Sequence, residues 1–231
     1  MKKSAPAIGV AVAVISLAVG LVGCSSGKND AKSSTSSAKS SSSSSSSSSS
    51  AAKSTSAQPS GANQTIDEYL QQANIQTTPI KHDTPGAPTI DLPVPDGWTL
   101  VPESDDAPYG GITYNAAENP SDPPRIIAVL YKLSGPVDEE KLWAAAPGEL
   151  KNLPDFDGSD GEKDTLGGFP AYQVGGTFTK NGEKRVGAQK TVLIKGSDLF
   201  LLQLNATAAE GEAGALGDAT SVIDDKTKIT P

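Results

Sequence analysis

The sequence predicts an α+β fold, an antiparallel β-sheet sandwiched by helices, placed behind a long segment that cannot fold by itself. Three observations carry this. Apolar runs rich in β-branched and aromatic residues recur through the C-terminal two-thirds of the chain. Asn181-Gly182, the strongest short hairpin signal, joins two of them. Helical patterns stand at the start, middle and end of this region, not between successive strands, which excludes alternating βαβ units.

The chain has 231 residues and begins as an exported protein would. Lys2 and Lys3 give a positive start, residues 5–22 are largely apolar, and Leu21-Val22-Gly23-Cys24 closes the segment. That ending matches the lipobox of bacterial lipoproteins, in which a diacylglycerol is attached to the cysteine thiol and the chain is cut before it. Residues 1–23 are therefore expected to be a lipoprotein signal peptide and Cys24 the lipidated residue. Cys24 is also the sole cysteine, so no disulfide is expected in the mature domain. Several acyl chains on one thiol, at roughly 0.8 kcal/mol per buried methylene, make a lasting anchor. This places the protein on the outer face of the cell membrane.

Residues 25–60 contain 20 serines and no large apolar side chain. Such a stretch cannot bury enough surface to offset the entropy of ordering, so residues 24–61 are expected to be a disordered tether. A flexible coil of about 37 residues spans roughly 30–37 Å.

The globular region is expected over residues 62–231. Thr65-Ile66-Asp67-Glu68 is a capping box, opening a short helix to about Ile75. Residues 89–94 alternate as a strand and stop at Pro95-Asp96-Gly97, and residues 111–114 form another. Residues 125–133 are a strongly apolar, β-branched strand expected at the centre of the sheet. Asp138, Glu139 and Glu140 precede Leu142 and Trp143, which suits a helix N-terminus over 137–150, with an interruption at Pro147. Residues 169–180 and 184–195 make the hairpin arms, and 199–204 follow as a buried strand. Residues 208–223 are read as a closing helix, weakened by Gly211, Gly214 and Gly217.

Composition narrows the function. Residues 62–231 hold 13 Lys and Arg against 26 Asp and Glu, a net charge of −13. A domain this acidic repels phosphate backbones, so no nucleic-acid partner is expected. One cysteine and one histidine exclude disulfide scaffolds and Cys/His zinc sites, and no cofactor is expected.

The chemistry-bearing residues divide into three groups. His82, in Lys81-His82-Asp83, lacks the Gly-x-Ser-x-Gly elbow that a serine hydrolase of the α/β type would supply, and reads as a solvated loop residue. Paired carboxylates are frequent: Asp105-Asp106, Asp155 with Asp157, Asp160 with Glu162, and Asp224-Asp225. Two carboxylates can hydrolyse a glycoside across an open cleft, and the 155–162 group is calcium-like in its spacing but lacks the glycine and terminal glutamate of an EF-hand loop. The aromatics are few, so their placement matters. Trp98 follows a Pro-x-Gly turn and reads as core; Trp143 sits mid-helix; Tyr109 lies in the Gly/Pro-rich loop 102–111. These three are the candidates for a ligand cleft, since an aromatic ring stacks on a sugar face and an apolar wall holds an acyl chain.

The lipobox, the serine-rich tether, Ile-Asp-Leu-Pro-Val-Pro-Asp-Gly-Trp over 90–98, Leu-Trp-Ala-Ala-Ala-Pro-Gly-Glu-Leu-Lys-Asn-Leu-Pro over 142–154 and Gly-Gly-Phe-Pro-Ala-Tyr-Gln over 167–173 resemble the LpqN/LpqT lipoproteins of mycobacteria. The Pro-x-Gly-Trp step also recurs in the wider PsbP-like fold, an antiparallel sheet between helices. The resemblance implies a non-catalytic envelope lipoprotein, and a monomer is expected. It links the chain to trehalose-mycolate glycolipids and to the membrane transporters that export them. Two other classes stay open at this level: an envelope hydrolase using paired carboxylates, and a surface adhesin acting on a host or partner cell.

Overall fold

The structure is a computed structural model, and it describes residues 61–231. The expected signal peptide, Cys24 and the expected tether lie outside the described residues.

The domain opens with helix α1 (Ile66–Gln72). Thr65 Oγ1 accepts the Glu68 N–H at 3.2 Å and Glu68 Oε2 accepts the Thr65 N–H at 3.0 Å, the reciprocal pairing expected of the capping box. Just upstream, the backbone N–H and Nδ2 of Asn63 donate to Asn152 Oδ1 (3.0 and 3.1 Å), and Asn152 Nδ2 donates to Asn63 O at 2.7 Å. The segment crosses directly over Gly148, where any β-carbon would collide with Gln64 O.

Five strands follow: β1 (Gln76–Ile80), β2 (Thr89–Asp91), β3 (Trp98–Val101), β4 (Gly111–Tyr114) and β5 (Arg125–Ser134). Then come α2 (Glu139–Ala145), α3 (Gly148–Lys151), β6 (Asp157–Gly158), β7 (Glu162–Leu166), β8 (Phe169–Lys180), β9 (Glu183–Lys195) and β10 (Leu199–Ala209). A 3₁₀ turn (Glu210–Glu212), α4 (Ala213–Lys226) and β11 (Lys228–Thr230) complete the chain. The main sheet runs β3-β4-β5-β10-β9-β8-β6, with β1 also on β5 and β7 on β8; β2 pairs separately with β11. All pairings are antiparallel.

The sheet is sandwiched as expected. On one face, alternate residues of the central strands (Leu130, Val192, Ile194, Leu202, Leu204) pack with Leu216, Ala219 and Ile223 of α4. On the other, Leu133, Leu193 and Leu201 pack with Ile66, Tyr69, Leu70, Leu142 and Trp143 of α1 and α2. The period-2 alternation of strands fixes which residues share a face. Asn181 and Gly182 both have positive φ (55° and 82°), as a tight β8–β9 hairpin with Lys180 opposite Glu183 requires.

Several boundaries differ from the sequence pattern. The strand expected over 89–94 stops at Asp91, because Pro93 and Pro95 cannot donate to a ladder, and it leaves the main sheet for β11. Pro147 splits the middle helix into α2 and α3. Ala208 and Ala209 extend β10 opposite Val186 and Arg185 and do not start the last helix: burial in the ladder overrides the helical preference of alanine.

Candidate functional site

The three candidate aromatics occupy two faces of the sheet. Trp98 opens β3, is 7% exposed, and lies against Tyr114 with ring centroids 5.5 Å apart. Tyr109 is 3% exposed and belongs to the same core as Trp98. Trp143 is on the opposite face, stacked near-parallel on Tyr172 at 6.5 Å.

Tyr109 lines a groove of about 490 Å³ bounded by β2, β3 and the loop that joins β3 to β4. His82 lies on its ring at 4.0 Å, and the His82 backbone N–H donates to Glu103 Oε1 at 2.5 Å. Gly110, with φ 71°, lets the loop close on β3; a β-carbon there would stand 2.8 Å from Val101 O. Burial raises the Tyr109 phenol above its ordinary pKa, a backbone hydrogen bond with Ile90 opposes this, and the charges of Glu103 and Asp83 add to it. Leu100 (64% exposed) and Val94 (42%) form the rim.

A second assembly was not anticipated from the sequence. On the face that carries α1–α3, the apolar residues Leu193 and Leu201 give way along β9 and β10 to Thr191, Gln189, Gln203, Asn205 and Thr207, all buried. Gln189 Nε2 donates to Asn205 Oδ1 at 3.1 Å and to Glu149 Oε2 at 2.8 Å. Gln189 Oε1, Thr191 Oγ1, Gln203 Nε2, Arg185 Nη2 and Arg125 Nε are buried without a partner. By strand parity all five belong to this one face. Buried polar groups are ordinarily satisfied, so five orphans in one strip are an unusual concentration. The strip adjoins apolar material, Trp143 and Tyr172 above it and Val174, Phe178 and Leu150 beside it. Its only sequence signal is a period-2 polar alternation inside strands whose other face is apolar apart from Lys184 and Lys190, a pattern that ordinarily reads as a solvated face.

Carboxylates set the electrostatics here. Burial, chiefly, pushes the Glu149 carboxyl up to about 7; the Gln189 hydrogen bond works against this and the Asp67 charge with it. Burial also raises Asp67, and Tyr131 is raised by burial and then by the charges of Asp67 and Glu149.

Of the paired carboxylates named from the sequence, three are held by partners of their own. Asp160 pairs with Lys151 at 2.5 Å and Glu162 accepts from Gln173 at 2.8 Å. Asp224 and Asp164 each hold the buried Lys190 ammonium at 2.6 Å, beside a cavity of about 40 Å³ between the sheet and α4. Among the described residues no three His, Cys, Asp or Glu gather as a metal site, and no helix is long and apolar enough to cross a membrane.

An antiparallel sheet clad by helices on both faces, with an orphaned polar strip beneath one layer, defines an α+β domain. The family described as probable lipoprotein LpqN matches residues 62–230, and the chain belongs to that family. It is 55% identical to lipoprotein LpqN of Mycobacterium tuberculosis over 176 residues, 75% of this chain and 77% of that one. It is 25% identical over 162 residues, 70% of this chain and 58% of that one, to the proline-rich 28 kDa antigen homolog of Mycobacterium leprae. A crystal structure of Mycobacterium tuberculosis LpqN, described as involved in cell envelope biogenesis, superposes with a TM-score of 0.72 at 55% identity, covering 74% of this chain and 100% of that one.

Proposed function

We propose that this chain is a non-catalytic binding module of the cell envelope, held to the outer face of the membrane through Cys24, that receives an amphipathic glycolipid of the trehalose-mycolate type during envelope assembly. The observation that carries this reading is the orphaned strip of Gln189, Thr191 and Gln203 lying next to the apolar Trp143–Tyr172 stack. Sugar hydroxyls both donate and accept, so one neutral head group can satisfy amide oxygen, amide nitrogen and hydroxyl together. An acyl chain would extend over the neighbouring apolar residues. The net charge of −13 over residues 62–231 presents no barrier to a neutral sugar. The role described for Mycobacterium tuberculosis LpqN agrees with this setting. Of the three candidate aromatics, Trp143 is the one that would wall such a site, since Trp98 and Tyr109 belong to the core of the other face. A membrane transporter is the natural donor or acceptor of such a cargo.

The test is native mass spectrometry of the full-length protein purified from its own envelope, followed by titration with a trehalose monoester. Retained glycolipid, and weaker titration by Gln203→Leu and Trp143→Ala, are expected. Hydrolysis of the ester by the wild-type protein, abolished by one Asp→Asn change, would overturn the reading.

A further inference from the structure

Strand β3 ends the main sheet: β4 pairs with it on one side, and no described residue pairs with the other. The hydrogen-bond phase shows which of its groups are free. The Asn115 N–H donates to Gly97 O, and the Tyr114 N–H donates to Pro124 O. Odd-numbered residues around β4 therefore bond towards β3 and even-numbered ones towards β5. In an antiparallel pair this alternation turns Thr99 and Val101 to β4 and leaves the N–H and C=O of Leu100 on the open edge.

Natural sheets blunt such an edge by keeping it short or with a charge or a proline within the strand; Trp98–Val101 is short, at 4 residues, but carries neither charge nor proline. It presents instead Leu100, 64% exposed, which with Val94 rims the groove over Tyr109. The surroundings are acidic. Asp91 and Glu103 line the groove, Asp83 lies near enough to Tyr109 to act on its charge, and Asp105 and Asp106 stand exposed on the same loop as Glu103. Of these only Asp91 has a cation directly opposite, Lys228 on β11.

We propose that the free edge of β3 and its groove form a strand-addition site for an extended basic and apolar segment of a partner protein. Its backbone pairs with Leu100, its alternate apolar side chains enter the groove, and its cations face the acidic loop. A second copy of this chain fits poorly, because β3 against β3 would bring the same acids together. The site adds a surface to the glycolipid reading and does not depend on it.

The experiment uses the full-length protein and three labelled octapeptides: acetyl-(Lys-Val)₄-amide, its (Glu-Val)₄ counterpart, and the Lys-Val peptide with alternate amides N-methylated. Fluorescence anisotropy should show the first binding, with the other two weaker by about tenfold or more. Amide exchange at residues 98–101 should slow in its presence. Leu100→Lys, at an exposed position that leaves the fold intact, should weaken binding by about tenfold or more, and Gln203→Leu should leave it unchanged. Equal binding of the acidic peptide, protection elsewhere with residues 98–101 unaffected, or a concentration-dependent dimer abolished by Leu100→Lys would each overturn the proposal.

Discussion

Glu149 on α3 and Gln189 on β9 meet at 2.8 Å, and that hydrogen bond ties the short helix to the polar strip of the sheet. Burial holds the Glu149 carboxyl at about 7 in the folded protein, against an ordinary value of 4.5. Between these values the folded chain keeps a proton that the unfolded chain has lost. Stability should therefore fall as pH rises through this window and level off above about 7, by at most about 3 kcal/mol. Glu149→Gln should remove the slope: its melting temperature should exceed the wild-type value near pH 8 and match it near pH 4. A wild-type melting temperature that is flat across the window would refute this account of Glu149.

Gln203 offers a separation of stability from binding. Its buried Nε2 has no partner, so Gln203→Leu should stabilise the domain by about 1 kcal/mol in urea unfolding. The same change should weaken the trehalose monoester, whose hydroxyls lose a donor. A variant that is more stable and binds as tightly as wild type would remove the strip from the site.

Lys190 should show the opposite behaviour. It is 7% exposed and holds two carboxylates, Asp164 and Asp224, at 2.6 Å each. Lys190→Met leaves both facing an apolar neighbour and each other, and should cost ~3–5 kcal/mol near neutral pH. The loss should shrink in acid as the carboxylates protonate, which paired melts of wild type and variant at the two pH values would reveal.

Cys24→Ala should yield an uncleaved precursor with no acyl mass by intact-protein mass spectrometry. Processing and lipid modification that persist in this variant would show that the N-terminal segment is not a lipoprotein signal.

Where sequence and structure agree, the cause is local. The Thr65–Glu68 box and the Asn181-Gly182 turn are each specified within four residues, and β5 declares itself by an unbroken β-branched run. What stayed hidden depends on distant partners. β1 is mostly exposed and contains Pro79; it is a strand only because residues 130–134 of β5 offer it an edge. β7 is polar up to its last residue, Leu166, although Gly167-Gly168, with φ 56° and 86°, is a hairpin turn that could have marked it. The polar strip was illegible for the same reason. Gln189 and Asn205 read as a solvated face until α3 is seen to bring Glu149 to them. Tyr109 looks like a loop residue by composition, yet the close approach allowed at Gly110 buries it.

The paired asparagines at the entrance to the domain have a mechanical consequence. Asn63 is held to Asn152 by three hydrogen bonds, and Asn152 closes α3. Tension applied to the chain at residue 61 therefore meets this clasp before it reaches α1, and the three bonds share the load and must break together. Below that threshold the load passes through Asn152 into α3, and α1 is bypassed and stays wound. Stretching single molecules from residue 61 should show Asn152→Ala yielding at a lower first force while the final unfolding force of the sheet is unchanged.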